Sequence, residues 1–519
     1  MCGWQRILRI VGLGLALPSG LAWAQLVDNT QATSTAKAGI NKSLSLEVGA
    51  GRGDWNTPDS SVFIINRDPF RSVRRGRQLF QRKFTRLEGT GPNDSDGVGD
   101  IGLNNAIGAG LSDSCALCHG RPRGSAGVGG NVNTRPDSRD APHLFGLGLR
   151  EMLGDEITGD LRMIRTVAQL QAETYHRPIT KALVSKGISF GSITANPNGS
   201  FDTSKVSGVD PDLRVKPFSA EGSDFSMRAF IVGAFRKEMG MLDAYDPDVA
   251  AASAGARVVT PSGMVLDGMK DTITPPPSPD AAHGNVDPAL VDHLEFYLLN
   301  YFKPGHGEQT SQVREGRRIF NDIGCAQCHV ANLTINHDRR VADLETVYDP
   351  TRGNFNSLFA TATPLIKVTD DGSGQPTLKQ PAGGSFVVKD LFTDFKRHDL
   401  GPMFYERNWD GTMQKTFMTR PLWGVGSTAP YGHDGRSITL DDVILRHGGE
   451  SQHSRNAYAR LRREDSQAIQ AFLNSLVLFP PDDTASTLDP GDRTNPNFPQ
   501  VGHGSIKLTV LFNDPGDPE

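Results

Sequence analysis

The sequence predicts a mainly α fold of two related helical units joined by long irregular loops. Three observations carry that expectation. Arg74-Arg75-Gly76-Arg77-Gln78-Leu79-Phe80 resembles Arg314-Glu315-Gly316-Arg317-Arg318-Ile319-Phe320, so one short amphipathic helix occurs twice. Each copy is followed at a distance by an apolar helix, Val291 to Phe302 and Ala468 to Leu476, of the kind that closes a unit by lying across its first helix. Glycine and proline supply 57 and 33 of the 519 residues, about one in six, which calls for long ordered loops.

Taken in chain order, the first segment is a targeting signal. Arg6 and Arg9 precede an apolar run from Ile10 to Leu21 that is interrupted by Pro18, and Ala22-Trp23-Ala24 has the small residues a signal peptidase reads. Cleavage after Ala24 and export to the periplasm are expected. The run is well short of the roughly 20 residues that span a bilayer, and no later segment is long and apolar enough to do so. Residues 25–69 form an N-terminal extension, 70–305 the first domain, 306–480 the second, and 481–519 a polar tail with one strand-like run, Ile506 to Phe512. The first domain carries a Gly/Asn/Asp-rich loop, Glu88 to Gly110, that the second lacks. Between Ala252 and Asn285, Pro, Gly, Ala and Ser dominate, and the segment reads as an exposed excursion.

Charge removes two classes of partner. With 54 Lys+Arg against 59 Asp+Glu, the net charge is −5, and there is no positive excess to hold nucleic acid or an anionic membrane.

The cysteines narrow the chemistry further. Of five, Cys2 lies in the leader, and the other four form two pairs, Cys115-Ala116-Leu117-Cys118-His119 and Cys325-Ala326-Gln327-Cys328-His329. Both read Cys-x-x-Cys-His, the attachment signature of a c-type haem. Two thiols on one helical turn add to the two vinyl groups of a haem, and the adjacent His lies under the iron. A redox dithiol or a four-cysteine zinc site leaves both histidines unexplained. Two covalently bound haems are therefore expected, in two cytochrome c-like domains.

Further segments carry a resemblance. Phe84-Thr85-Arg86-Leu87-Glu88-Gly89, Arg139-Asp140-Ala141-Pro142-His143-Leu144-Phe145-Gly146-Leu147-Gly148-Leu149, Arg420-Pro421-Leu422-Trp423-Gly424 and His433-Asp434-Gly435-Arg436 resemble the di-haem oxidoreductase family. That family lies within the superfamily of the bacterial di-haem cytochrome c peroxidases, the methylamine dehydrogenase maturation enzyme and the rubber oxygenases. The similarity runs from about residue 70 to 480.

The resemblance implies ligands for both irons. In the similar peroxidases a Met 14 positions beyond the His of His-Asp-Gly binds the electron-transfer haem, and here that count from His433 reaches His447. His329 and His447 then make a bis-His second haem, whose potential should be lower than that of a His/Met haem. The distal His of those peroxidases lies eight positions before the Asn that corresponds to Asp140. Here that position is Val132, and no His occurs between His119 and His143. The first iron is expected to be five-coordinate or water-bound, with His143 a hydrogen-bonded structural residue.

For the proton transfer that peroxide cleavage needs, Glu151 is chosen over Glu156 as the catalytic acid, and Arg139 and Arg150 are charge partners or propionate clamps. Glu238, in Phe235-Arg236-Lys237-Glu238-Met239-Gly240, matches a family-like segment without an assigned role. The resemblance further implies calcium between the domains at Asp140, Thr428 and Pro430, and Trp423 is a candidate electron relay. The function so implied is a peroxidase reducing hydrogen peroxide at the first haem, with electrons from a small soluble carrier, a cytochrome c or a cupredoxin, entering at the second. An oxidase or oxygenase with an organic or protein substrate, and a di-haem electron-transfer cytochrome, are the alternatives. A homodimer is the assembly common among the relatives.

Overall fold

The computed structural model describes residues 44–85, 88–90, 112–120, 126–128, 131–132, 139–241, 244–267, 286–300, 304–343, 363–381, 383–408 and 411–478. The signal segment 1–24, the tail 481–519 and nearly all of the loop from Glu88 to Gly110 lie outside these residues.

Side-chain caps set where the helices begin. Ser60 accepts a hydrogen bond from the Phe63 amide, and Asp68 from the Arg71 amide, with Pro69 at the first helical position where its missing N–H costs nothing. Ser226, Thr310 and Thr439 cap in the same way through Ala229, Val313 and Asp442. The first-domain helices are α1 Leu44–Val48, α2 Ser61–Arg67, α3 Pro69–Gln81, α4 Cys115–His119, α5 Leu147–Tyr175, α6 Met227–Lys237, α7 Pro247–Ser253 and α8 Pro288–Asn300. The second domain has α9 Ser311–Asp322, α10 Leu440–Arg446, α11 Gln452–Tyr458 and α12 Arg463–Asn474.

Two helix pairs organise the chain: α3 packs across α8, and α9 across α12. Each crossing falls on the glycine of the sequence repeat. A Cβ on Gly76 would lie 2.1 Å from the His293 carbonyl oxygen, and one on Gly316 would lie 1.8 Å from that of Ala468. Backbone therefore meets backbone. The 29-residue α5, about 44 Å long at 1.5 Å per residue, crosses α8 by the same device, since a Cβ on Gly148 would lie 2.1 Å from the Leu299 carbonyl oxygen.

Held from two sides, α8 is buried from Ala289 to Asn300, polar residues included. Those groups need partners. Ser72 Oγ lies 2.8 Å from His293 Nδ1, and the fully buried Arg228 reaches Asp246 at 2.5 Å, Asp292 at 2.8 Å and Glu295 at 2.9 Å. Ser61 donates to Asp292 at 2.5 Å and Arg52 meets it at 3.0 Å. Residues 44–69 are thus packed into the first domain, with Ile64 and Ile65 fully buried. One apolar core runs from these residues to Leu391, Met418 and Trp423 of the second domain, and a smaller core fills the space between α9 and α12.

The mainly α expectation is corrected. Helix accounts for about 40% and strand for about 17% of the described residues, spread over many small sheets, so the class is mixed α and β. Ile179–Ser185, Ile188–Ala195 and Phe201–Asp202 form a three-stranded antiparallel sheet. The other described sheets are pairs, such as Leu333–Ile335 with Phe386–Val388 and Arg397–Asp399 with Thr416–Met418. The cause is backbone hydrogen bonding. Partly buried loops must pair their N–H and C=O groups, and short antiparallel ladders do so without helix. The exposed excursion is corrected on the same ground: its described part holds the hairpin Arg257–Val259 with Val265–Asp267, and Met264 and Leu266 are buried.

Gly76→Ala and Gly316→Ala are each expected to destabilise the chain by about 3 kcal/mol or more, as overpacking of helix backbones does. Gly159, with nothing within 4 Å of its would-be Cβ, is the control, and Gly159→Ala should add about 0.5–1 kcal/mol. Denaturant unfolding curves measure all three.

Candidate functional site

The first motif is a single helical turn, α4, between Ser114 and Gly120. His119 Nδ1 lies 2.7 Å from the Pro142 carbonyl oxygen. An oxygen of that kind only accepts, so Nδ1 carries the proton and Nε2 keeps its lone pair. Burial holds His119 down at about 4, so the ring is neutral at ordinary pH. The Cys115 thiol is pushed up to about 12 by burial, and Cys118 is also raised, by burial and by Glu238. Around these groups lies a cavity of about 210 Å³, walled by Phe80, Leu294, Leu298, Phe230 and Phe235 and lined by the acids Asp140, Glu221 and Glu238.

The second motif follows Gly324, whose left-handed φ of 90° turns the chain into a 3-10 turn, Cys325–Gln327. His329 Nδ1 lies 3.0 Å from the Phe392 carbonyl oxygen, and His447 Nδ1 lies 2.6 Å from that of Val443, at the end of α10. Both rings are again left with Nε2 as the lone-pair nitrogen. Burial lowers both, His447 to about 4. Cys325, Cys328, His329 and His447 line one cavity of about 320 Å³. None of the four motif cysteines is in a disulfide.

The two cavities adjoin. Asp140, Ala141, Pro142, His143, Arg150, Ala220, Arg420 and His433 line both. Arg150 and Arg420 repel each other there, and burial with that repulsion lowers Arg150 to about 9; burial and Arg139 lower Arg420 to about 10. Buried cations of this kind suit the propionates of a haem. Arg139 meets Glu406 at 2.7 Å and Glu221 at 3.2 Å, joining the domains, and His433 stacks on Phe417 at 4.1 Å with Nε2 3.5 Å from Glu406.

The other sequence candidates fall as follows. Glu151 lines neither cavity: it faces the start of α6, where its Oε2 accepts from the Met227 amide at 2.7 Å. His143 Nε2 donates to the Trp423 carbonyl at 2.8 Å while Nδ1 accepts from the Phe145 amide at 3.2 Å, so both its nitrogens are engaged. Asp140, Thr428 and Pro430 share the wall of the larger cavity, and burial with the nearby Asp434 pushes Asp140 up to about 6. Trp423 also lines that cavity; a Cβ on Gly146 would lie 2.4 Å from its ring.

Sequence reading passed over His398. It lies 2.8 Å from Asp394 and 2.7 Å from Glu450, one carboxylate on each nitrogen. Despite burial, the hydrogen bonds to Asp394 and Cys328 raise it to about 11, making it a cation in the second cavity wall. The ligand atoms of Cys328, Asp394 and His398 lie within 4.8 Å of one another. No spacing signal marks this group, nor Glu221 and Glu406, because loops far apart in the chain bring them together.

The two Cys-x-x-Cys-His sets each line a cavity of their own. Residues 355–476, about a quarter of the chain, match the family model described as "Di-haem oxidoreductase, putative peroxidase". Among solved structures, hydrazine synthase of Kuenenia stuttgartiensis, pressurised with 20 bar xenon, is similar at 14% identity and a TM-score of 0.34, over 86% of this chain and 99% of that one. No curated protein matches. Among the described residues, no helix is long and apolar enough to cross a membrane.

Arg139→Gln leaves Glu406 and Glu221 without their shared cation and should cost about 3 kcal/mol, the usual size for a broken buried pair. Thermal and denaturant unfolding read the loss.

Proposed function

We propose that the chain is a periplasmic di-haem c-type oxidoreductase that reduces hydrogen peroxide at the first cavity, with electrons entering through the second. An asymmetry in imidazoles carries this reading. His329 and His447 line one cavity, each with Nδ1 tied to a backbone carbonyl and Nε2 left over, whereas in the other His119 is, among the described residues, the one imidazole held in that way; His433, which lines both, stacks on Phe417 with its Nε2 3.5 Å from Glu406. Two imidazoles saturate a haem for electron transfer, and one leaves a position for a small substrate. When bound, the haems would supply the redox change. The cysteine pairs would hold them as thioethers, and Arg150 and Arg420 would compensate their propionates.

The conversion consumes one peroxide, two electrons and two protons and yields two waters. Glu238 lines the first cavity beside Cys118 and takes the proton-holding role that the sequence gave to Glu151. Glu221 is held by Arg139 and serves as its counter-charge. A small soluble carrier, a cytochrome c or a cupredoxin, supplies the electrons. An oxidase or oxygenase of an organic or protein substrate is the second reading, favoured by the pairing of His329 with His447, because imidazole lowers the potential relative to thioether and stabilises oxidised states.

EPR and optical spectra of the exported, haem-loaded protein are expected to show one high-spin and one low-spin ferric haem, with peroxide consumed in proportion to donor oxidised. His447→Ala should abolish the low-spin signal and keep both thioether-bound haems. Glu238→Gln should cut peroxide turnover about 100-fold, the usual size for a lost general acid, with resting spectra unchanged. Two low-spin haems inert to peroxide would reject the reading, and peroxide-independent oxidation of an organic or protein substrate would favour the second.

Calcium at Asp140, Thr428 and Pro430 belongs to the same proposal, and pH tests it. Asp140 is raised from 3.8 to about 6, so its stability contribution is present below pH 3.8 and lost as pH rises through about 6. With a chelator, the melting temperature should carry this loss between about pH 4 and 7; calcium, by stabilising the ionised carboxylate, should remove it. A pH profile that calcium leaves unchanged would remove the assignment.

A further inference from the structure

We infer that His143 is a positioning residue that couples the two haems, completing a hydrogen-bonded route from the ligand of one to the ligand of the other. The inference rests on the di-haem reading above, in which His119 and His329 are the proximal ligands. The route can be followed atom by atom. His119 Nδ1–H donates to the Pro142 carbonyl at 2.7 Å. Pro142 is bonded to His143, whose Nε2–H donates across the domain boundary to the Trp423 carbonyl at 2.8 Å. Trp423 is bonded to Leu422, whose amide donates to the Leu391 carbonyl at 3.1 Å. Leu391 is bonded to Phe392, whose carbonyl accepts from His329 Nδ1 at 3.0 Å. Four hydrogen bonds and three peptide links thus join the two imidazoles, with no gap that van der Waals contact must bridge.

Three features make His143 the controlling member. Its side chain supplies the one contact in the route that crosses between the domains and depends on side-chain identity. Its tautomer is set by geometry, because the Phe145 amide donates to Nδ1 at 3.2 Å and leaves the proton on Nε2. Its partner is also fixed, since Gly146 has no Cβ to push the Trp423 ring away. The far end is equally firm: the Leu391 amide donates to Ala331 at 2.7 Å and the Thr393 amide to Val330 at 3.0 Å, which straps Phe392 beside the second motif. Trp423 enters through its backbone carbonyl, and the indole is not part of the route.

The expected step is the transfer of one electron from the second haem to the first, with no bond made or broken. Loss of a group that hydrogen-bonds to a metal ligand typically costs about 10–100-fold in metal affinity or activity, and His143 stands one peptide link beyond such a group, Pro142, so the lower end is the scale expected. The test is the rate at which an electron placed on the second haem by a reducing pulse reaches the first, followed optically. In His143→Leu that rate should fall about tenfold or more, while haem content stays at two per chain and the second haem keeps its low-spin spectrum. His143→Gln, whose amide can still donate to the Trp423 carbonyl, should recover most of the rate; a role in packing alone would not discriminate between the two. Resonance Raman of the wild type gives a readout free of any folding defect: with the first haem reduced, its iron–imidazole stretch should shift between the states in which the second haem is oxidised and reduced. An unshifted stretch, or a wild-type transfer rate in a fully loaded His143→Leu, overturns the inference and leaves the di-haem reading intact. A wild-type chain that binds fewer than two haems overturns both.

Discussion

Close contact between helix backbones at Gly76, Gly148 and Gly316 is the constraint on which the rest of the structure depends. At each of these positions a carbonyl oxygen occupies the place where any side chain would begin. Two of the contacts fall on α8, which is pressed between α3 and α5 and stripped of water from Ala289 onward. That burial explains the unusual chemistry behind it: Asp292 and Glu295 can persist only because Arg228, itself fully buried, holds both, with Arg52 and Ser61 brought in from the N-terminal segment. The opposite face of α8 presents Leu294 and Leu298 to the first cavity. One crossing geometry therefore sets the core, recruits residues 44–69 into it and fixes one wall of the site.

What was legible in the sequence follows from how local each signal is. Cys-x-x-Cys-His is complete within one turn of chain, and the repeat around Gly76 and Gly316 is a local helix pattern; both could be read directly. His447 follows from the resemblance, whose peroxidases carry a ligand 14 positions beyond the His of His-Asp-Gly, and it shares a cavity with His329. Glu151 was chosen by closeness along the chain to the Ala-Pro segment. The start of α5 turns that carboxylate toward Met227, whereas Glu238, much farther along, arrives at the cavity through α6. Sequence distance does not reveal this, because the packing of α5 and α6 decides which acids face the cavity. The loops explain the fold-class error: helical periodicity marks the helices, while pairs of two to four residues such as Arg397–Asp399 with Thr416–Met418 leave almost no pattern of their own.

Electrostatics at the shared wall gives the cavities a common logic. Arg150 and Arg420 are forced together where burial already disfavours both charges, and the Arg139 guanidinium lies close enough to lower Arg420 further. Such an arrangement is costly in an empty protein and becomes favourable when anions are present. On the other side of the same wall, burial and the nearby Asp434, itself paired with Arg446 at 2.7 Å, push Asp140 up to about 6. Crowded, buried guanidinium groups on a shared wall suit anionic occupants, and this distinguishes the two cavities from merely apolar voids.

The same wall also accounts for why a histidine with both nitrogens engaged should sit between two sites that use histidine as a ligand. An imidazole free to turn at position 143 would be a competitor for the first iron. The Phe145 amide and the Trp423 carbonyl take up its acceptor and its donor, so the ring has no lone pair to offer. Engagement on both sides also makes it rigid, and rigidity transmits: Pro142, one residue back, presents its carbonyl to His119 at 2.7 Å. Keeping His143 away from the metal and holding His119 in place are thus the same structural act. In the proposed di-haem reading, the asymmetry that would leave one iron open is in this way tied to the contact that joins the two domains.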